Sequence, residues 1–163
     1  VRSSLEVRNI VHWAKFHPEG GRGVNGTGVD GGYGQYPGPD YFKAANSQTF
    51  VAIQIEHRDA LEQVEEIASI PGVDLLFIGP ADLSQSMGLP GQWQHPHVLA
   101  GVERVARACK SAGISWGILP RDKEHADFCR QLGCQLFSLG MDVWFFQRGL
   151  RDYLNMWPGY FPA

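Results

Sequence analysis

Two carboxylates, Glu56 and Asp82, stand 26 positions apart, each shortly after an apolar run: Phe50–Ile55 before the first and Val73–Ile78 before the second. Between the runs, Arg58 to Ile70 carries Leu61, Val64, Ile67 and Ile70 at spacings of three, the pattern of an amphipathic helix. Strand, helix, strand is the unit that lays two strands side by side and parallel. Both strands then point the same way, and both carboxylates emerge at one edge of the sheet. In parallel sheets and barrels that carboxyl-terminal edge is where chemistry is placed. Two carboxylates on neighbouring strand ends suggest a divalent-cation site. The bland alternative is that acidic residues behind strands do no more than cap the next helix.

The stretch Gly79-Pro80-Ala81-Asp82-Leu83-Ser84 favours the site. Gly and Pro are expected to force a tight turn straight off a buried strand, and a short helical turn is predicted to begin there. Free N–H groups at Ala81 and Asp82 would then face the same space as the carboxylates, and such groups bind small anions. A cation beside an anion-binding turn fits a small substrate with a carboxylate and an adjacent oxygen.

Other suggestive residues carry less. Gly21-Arg22-Gly23-Val24-Asn25-Gly26 is a literal G-x-G-x-x-G, but His17-Pro18 precedes it and more glycine follows, where a dinucleotide site needs a strand and a helix. Arg22 reads more simply as a surface arginine. His95 and His97 flank Pro96 at a helix start, where capping or solvent contact outweighs metal binding. His57 follows Glu56, and strand alternation is expected to aim it away from the carboxylates. Cys109, Cys129 and Cys134 lack metal-ligand spacing and read as reduced thiols of a cytoplasmic protein. Asn25-Gly26-Thr27 matches a glycosylation pattern by chance.

The elements that must position these groups follow from the rest of the 163 residues, a length that suits one domain, 1–163. A 44% hydrophobic and 19% charged composition is globular, and the net charge of −3 gives no reason to expect nucleic acid or an anionic membrane as partner. No apolar run is long enough to span a bilayer, and no signal-like segment opens the chain. Ser3 and Ser4 start a helix to Ala14, and the Gly-rich segment 19–39 is a long loop, with eight glycines in its first sixteen residues. Tyr41–Asn46 is predicted as a short helix. A helix is expected from His95 to about Ser111 with Val98, Val102, Val105, Ala106 and Cys109 on one face, then a strand at Ile114–Leu119. A helix at Asp122–Leu132, a strand at Gln135–Leu139 and a last helix over about Val143–Trp157 follow. Strict alternation implies an α/β fold with a parallel sheet of four strand-helix units, either a small open fold or half of an eight-stranded barrel that lacks its beginning. Trp144, Phe145, Phe146, Tyr153, Trp157, Tyr160 and Phe161 load the segment 143–163 with more aromatic surface than one helix buries, leaving partner contact and core packing both open.

The run QIEHRDALEQVEEIASIPGVDLLFIGPADLSQSMG resembles the HpcH/HpaI family of divalent-metal-dependent aldolases, in the phosphoenolpyruvate/pyruvate barrel superfamily. FHPEGGRGVNG and SLGMD are similar to further family segments, so the likeness runs from the first helix to the last. It implies the carboxyl-terminal half of a (β/α)8 TIM-type barrel. It further implies that Glu56 and Asp82 ligate Mg²⁺ or Mn²⁺, that Gln54 and the backbone of Ala81 and Asp82 hold a pyruvate unit, and that Leu119 lines the pocket. The implied reaction is reversible aldol cleavage of a 4-hydroxy-2-oxo acid to pyruvate and an aldehyde. Homo-oligomers packed through the last helix are the implied assembly.

Aligned on the family pattern, Val1 falls near the end of the fourth barrel strand. The family's base-activating histidine and its arginine have no counterparts here, so no catalytic residue is assigned. The expectation is a metal and pyruvate half-site, as part of a longer aldolase or as a natural truncation. Two other readings are a citrate-lyase-like lyase acting on an acyl-coenzyme A and a fragment that only binds metal or partners. The first lacks a basic patch to meet the coenzyme phosphates.

Overall fold

A computed structural model describes residues 1–35 and 38–160. Helix α1 (Ser4–Ala14) begins where expected, with the Ser3 side chain accepting from the Glu6 N–H. A 3₁₀ segment (Val29–Gly34) interrupts the Gly-rich loop, and α2 (Pro39–Gln48) follows. Strands β1 (Ala52–Ile55), β2 (Leu75–Ile78), β3 (Ser115–Ile118) and β4 (Leu136–Phe137) form one sheet in the order β1-β2-β3-β4, parallel throughout. The remaining helices are α3 (Arg58–Glu62), α4 (Val64–Ala68), α5 (Pro80–Ser86), α6 (Pro96–Ala112), α7 (Lys123–Gln131) and α8 (Asp142–Asn155). The strand-helix alternation is thus the expected one.

Alternation along β1 buries Ile53 and Ile55 and leaves Ala52 and Gln54 exposed. In register with them, Leu76, Ile78, Trp116 and Ile118 complete the buried face. Val7, Leu61, Val64, Ile67, Val102, Val105 and Cys109 from the helices join those residues in a single core. Each aliphatic side chain so buried contributes about 1.5–3 kcal/mol. All five apolar positions expected on the α6 face are buried, and Gly113 closes that helix in the left-handed conformation at φ 71°.

Two expectations are corrected. The helix read as continuous from Arg58 to Ile70 is broken at Gln63, with φ −110° and ψ 14°. The Gln63 side chain accepts from the Ser4 N–H at 3.1 Å and donates to Asp59 O at 3.3 Å, so a tie to the start of α1 sits at the break. Core packing of the last helix is also excluded: among the described residues α8 buries none. Phe146 is 71% exposed and Phe145 65%. Phe161 lies outside the described residues.

Candidate functional site

The parallel register brings the ends of β1 and β2 together, and Glu56 and Asp82 line one cleft of about 500 Å³ at that edge. His57, Gln85, Ser86, Glu6 of α1 and Val1 and Arg2 just before that helix complete it. Neither carboxylate caps a helix. The cap of α3 is the His57 ring, whose Nδ1 accepts from the Asp59 N–H at 3.2 Å, and α5 has no side-chain cap. Among the described residues, neither the Glu56 nor the Asp82 side chain accepts a hydrogen bond, whereas Glu6 in the same cleft accepts from the Arg2 N–H at 2.7 Å. The capping alternative therefore does not describe them. Glu56 is half-buried and Asp82 exposed.

Gln54 joins Glu56 at Gly79. A Cβ built on Gly79 would lie 3.1 Å from Glu56 Oε2 and 3.2 Å from Gln54 Nε2. Gly79 has φ −97°, open to any residue, so a turn does not require glycine there. The expected tight turn is present, α5 beginning at Pro80 straight after β2, and what the glycine adds is open space beside both side chains. Sequence reading missed this role, and the only signal was a glycine placed straight after a buried strand. Beyond it, Leu83 N–H bonds to Gly79 O at 2.9 Å to start α5. Pro80 has no N–H, and those of Ala81 and Asp82 find no acceptor among the described residues, as first-turn donors do.

Other sequence candidates separate from this cleft. Leu119, half-buried just past β3, is not among its lining residues, and neither are Gln54 and Ala81. His57 does line it, contrary to the alternation argument, because β1 ends at Ile55 and His57 turns as a cap. Arg22 is tethered by Asp30 Oδ2 at 2.6 Å and lies 4.6 Å from the Phe16 ring centroid. Two larger clefts, of about 690 and 720 Å³, flank it, but its charge is already met there. His95 caps α6 through Nδ1, accepting from the His97 N–H at 3.2 Å. The three cysteines are free and buried, and burial pushes Cys109 and Cys129 up to about 12 and Cys134 to about 11, the range of inert thiols.

The donor set fits a hard divalent ion: two carboxylates, leaving positions for water and substrate oxygens. No cluster of three His, Cys, Asp or Glu side chains occurs among the described residues. Two protein carboxylates are what an ion that keeps several waters uses.

Parallel strands alternating with helices and an acidic cleft at the carboxyl-terminal edge define an α/β protein with a four-stranded parallel sheet, the arrangement of half a TIM-type barrel. The HpcH/HpaI aldolase/citrate lyase family profile matches residues 1–148, and the chain belongs to that family. It is 39% identical over 143 residues to a hydroxypyruvate/pyruvate aldolase of Sagittula stellata, covering 88% of this chain and 56% of that protein. To a 4-hydroxy-2-oxo-heptane-1,7-dioate aldolase of Shigella sonnei it is 37% identical, over 88% of this chain and 54% of that one. A family protein from Burkholderia cenocepacia superposes with a TM-score of 0.86 at 35% identity, over 96% of this chain and 62% of that chain. The chain spans about half the length of the curated relatives it matches.

Proposed function

We propose that this chain supplies the metal and pyruvate half-site of a carbon-carbon lyase, which cleaves a 4-hydroxy-2-oxo acid reversibly to pyruvate and an aldehyde. The observation that carries the reading is the shared cleft of Glu56 and Asp82, with Gln54 and Glu56 drawn together over Gly79. Glu56 and Asp82 hold Mg²⁺ or Mn²⁺. When bound, such an ion supplies Lewis-acid polarisation of the oxo acid. The free N–H groups of Ala81 and Asp82 receive the pyruvate carboxylate, and the Gln54 amide orients it. The chain 1–163 acts as one domain, with the loop 19–39 and the segment 143–163 as appendages. Its partners are the oxo acid, the aldehyde and further copies of itself through α8. Three inert reduced thiols suit a cytoplasmic setting. No described helix is long and apolar enough to cross a membrane.

Thermal unfolding with Mn²⁺ and pyruvate tests this. Ligands at about 100 times their dissociation constants add about 2.7 kcal/mol, a rise of roughly 5–10 °C. The expected outcome is a rise with Mn²⁺ that grows when pyruvate is added. A folded chain indifferent to both would be the partner-binding fragment instead, and a rise with an acyl-coenzyme A alone would favour the citrate-lyase-like alternative.

A further inference from the structure

We infer that Gly79 is a positioning residue of this half-site: the side chain it lacks is the space in which the Glu56 carboxylate and the Gln54 amide come together. The inference rests on the proposed metal site and adds a residue that neither ligates nor touches substrate through a side chain.

Three observations carry it. The backbone angles of Gly79 leave it free of any conformational need for glycine. Its missing Cβ would stand 3.1 Å from Glu56 Oε2, 3.2 Å from Glu56 Cβ and 3.2 Å from Gln54 Nε2, so one methyl crowds both side chains at once. The backbone there has little room to withdraw. Gly79 N–H donates to Ile55 O at 3.2 Å, tying it to the end of β1, and its carbonyl accepts from Leu83 N–H at 2.9 Å, holding the first turn of α5. An added methyl therefore displaces the side chains rather than the main chain. Metal sites are sensitive to displacements of a few tenths of an ångström, and disturbing the groups that orient a ligand typically costs 10–100-fold in affinity.

The test is Mn²⁺ affinity of the full chain, read from the electron paramagnetic resonance signal of free Mn²⁺, with thermal unfolding run in parallel. Gly79→Ala should bind Mn²⁺ about tenfold more weakly. Gly101→Ala is the control. Its Cβ would meet Leu61 Cδ2 at 2.9 Å in the core, away from the cleft, so it should lower Tm without changing affinity. Gln54→Ala/Gly79→Ala opens one of the two crowded contacts and should recover part of the lost affinity, which also serves if Gly79→Ala alone folds poorly. Wild-type affinity in Gly79→Ala, an equal loss in Gly101→Ala, or a folded double variant with no recovery would each overturn the positioning role. Absence of Mn²⁺ binding by the wild-type chain, or its persistence in Glu56→Gln, would instead remove the metal site itself.

Discussion

Glu56 and Asp82 reach their cleft by different routes, one directly off β1 and the other from the first turn of α5. Because α3 is capped by His57 and α5 by no side chain, neither carboxylate is committed to a helix start. Glu56→Gln and Asp82→Asn should therefore abolish Mn²⁺ binding while moving Tm by no more than about 2 °C, since exposed substitutions away from caps and cores cost about 0.5 kcal/mol or less. A large fall in Tm would mean that the carboxylates serve the fold. His125 offers an opposite case. It is 3% exposed, stacks on Trp93 with ring centroids 4.9 Å apart, and leaves Nε2 without a hydrogen-bond partner among the described residues. Burial holds its pKa below the usual histidine value, Asp122 opposing and Arg121 assisting. The unfolded chain binds that proton below about pH 6.5, while the folded one resists it, so stability is full above that pH and is lost as pH falls through the lowered folded value. Denaturant midpoints at pH 7 and pH 5 should show this loss, and His125→Phe should reduce it. The two carboxylates were legible in the sequence because charge after an apolar run is a local pattern. Gly79 and His125 were not, because a missing Cβ matters only beside Gln54 and Glu56, and a buried imidazole only beneath Trp93.

At the scale of elements, local signals placed α1 and α6 well. Ser3 caps one, and His95, Pro96 and Gly113 bracket the other. Gly113 sits at φ 71° with open space where a Cβ would be, so only backbone conformation asks for glycine. Gly113→Ala should thus cost about 1 kcal/mol, seen as a lower urea midpoint at unchanged slope. The break between α3 and α4 escaped prediction for the complementary reason. Leu61, Val64 and Ile67 remain buried on either side of it, so apolar periodicity is blind to the break. Its accompaniment is a bond from the Gln63 side chain to Ser4, 59 residues away in sequence, which no local window contains.

For the whole molecule, the sheet has one face in the core and another that buries Leu75 and Gly117 at its centre but carries Ala52, Gln54 and Leu136 exposed on its outer strands, with Leu136 45% exposed. Helix α8 buries nothing, and Trp144, Phe145, Phe146, Leu150 and Tyr153 all remain exposed along it. The aromatic load of this segment was plain from composition, but whether it faced inward depended on where the helix lies. A chain of 18.1 kDa that presents so much aromatic surface gains by covering it. If copies associate through α8 as proposed, sedimentation equilibrium should give a mass that is a multiple of 18.1 kDa and falls on dilution or on Phe145→Glu/Phe146→Glu. These residues lie outside the core and the acidic cleft, so the double variant should keep its far-ultraviolet spectrum and its Mn²⁺ affinity. A wild-type chain that stays at 18.1 kDa at every concentration would sink self-association through this helix. A variant that loses metal as well as mass would instead make assembly a requirement of the site, linking the exposed helix to the cleft between β1 and β2.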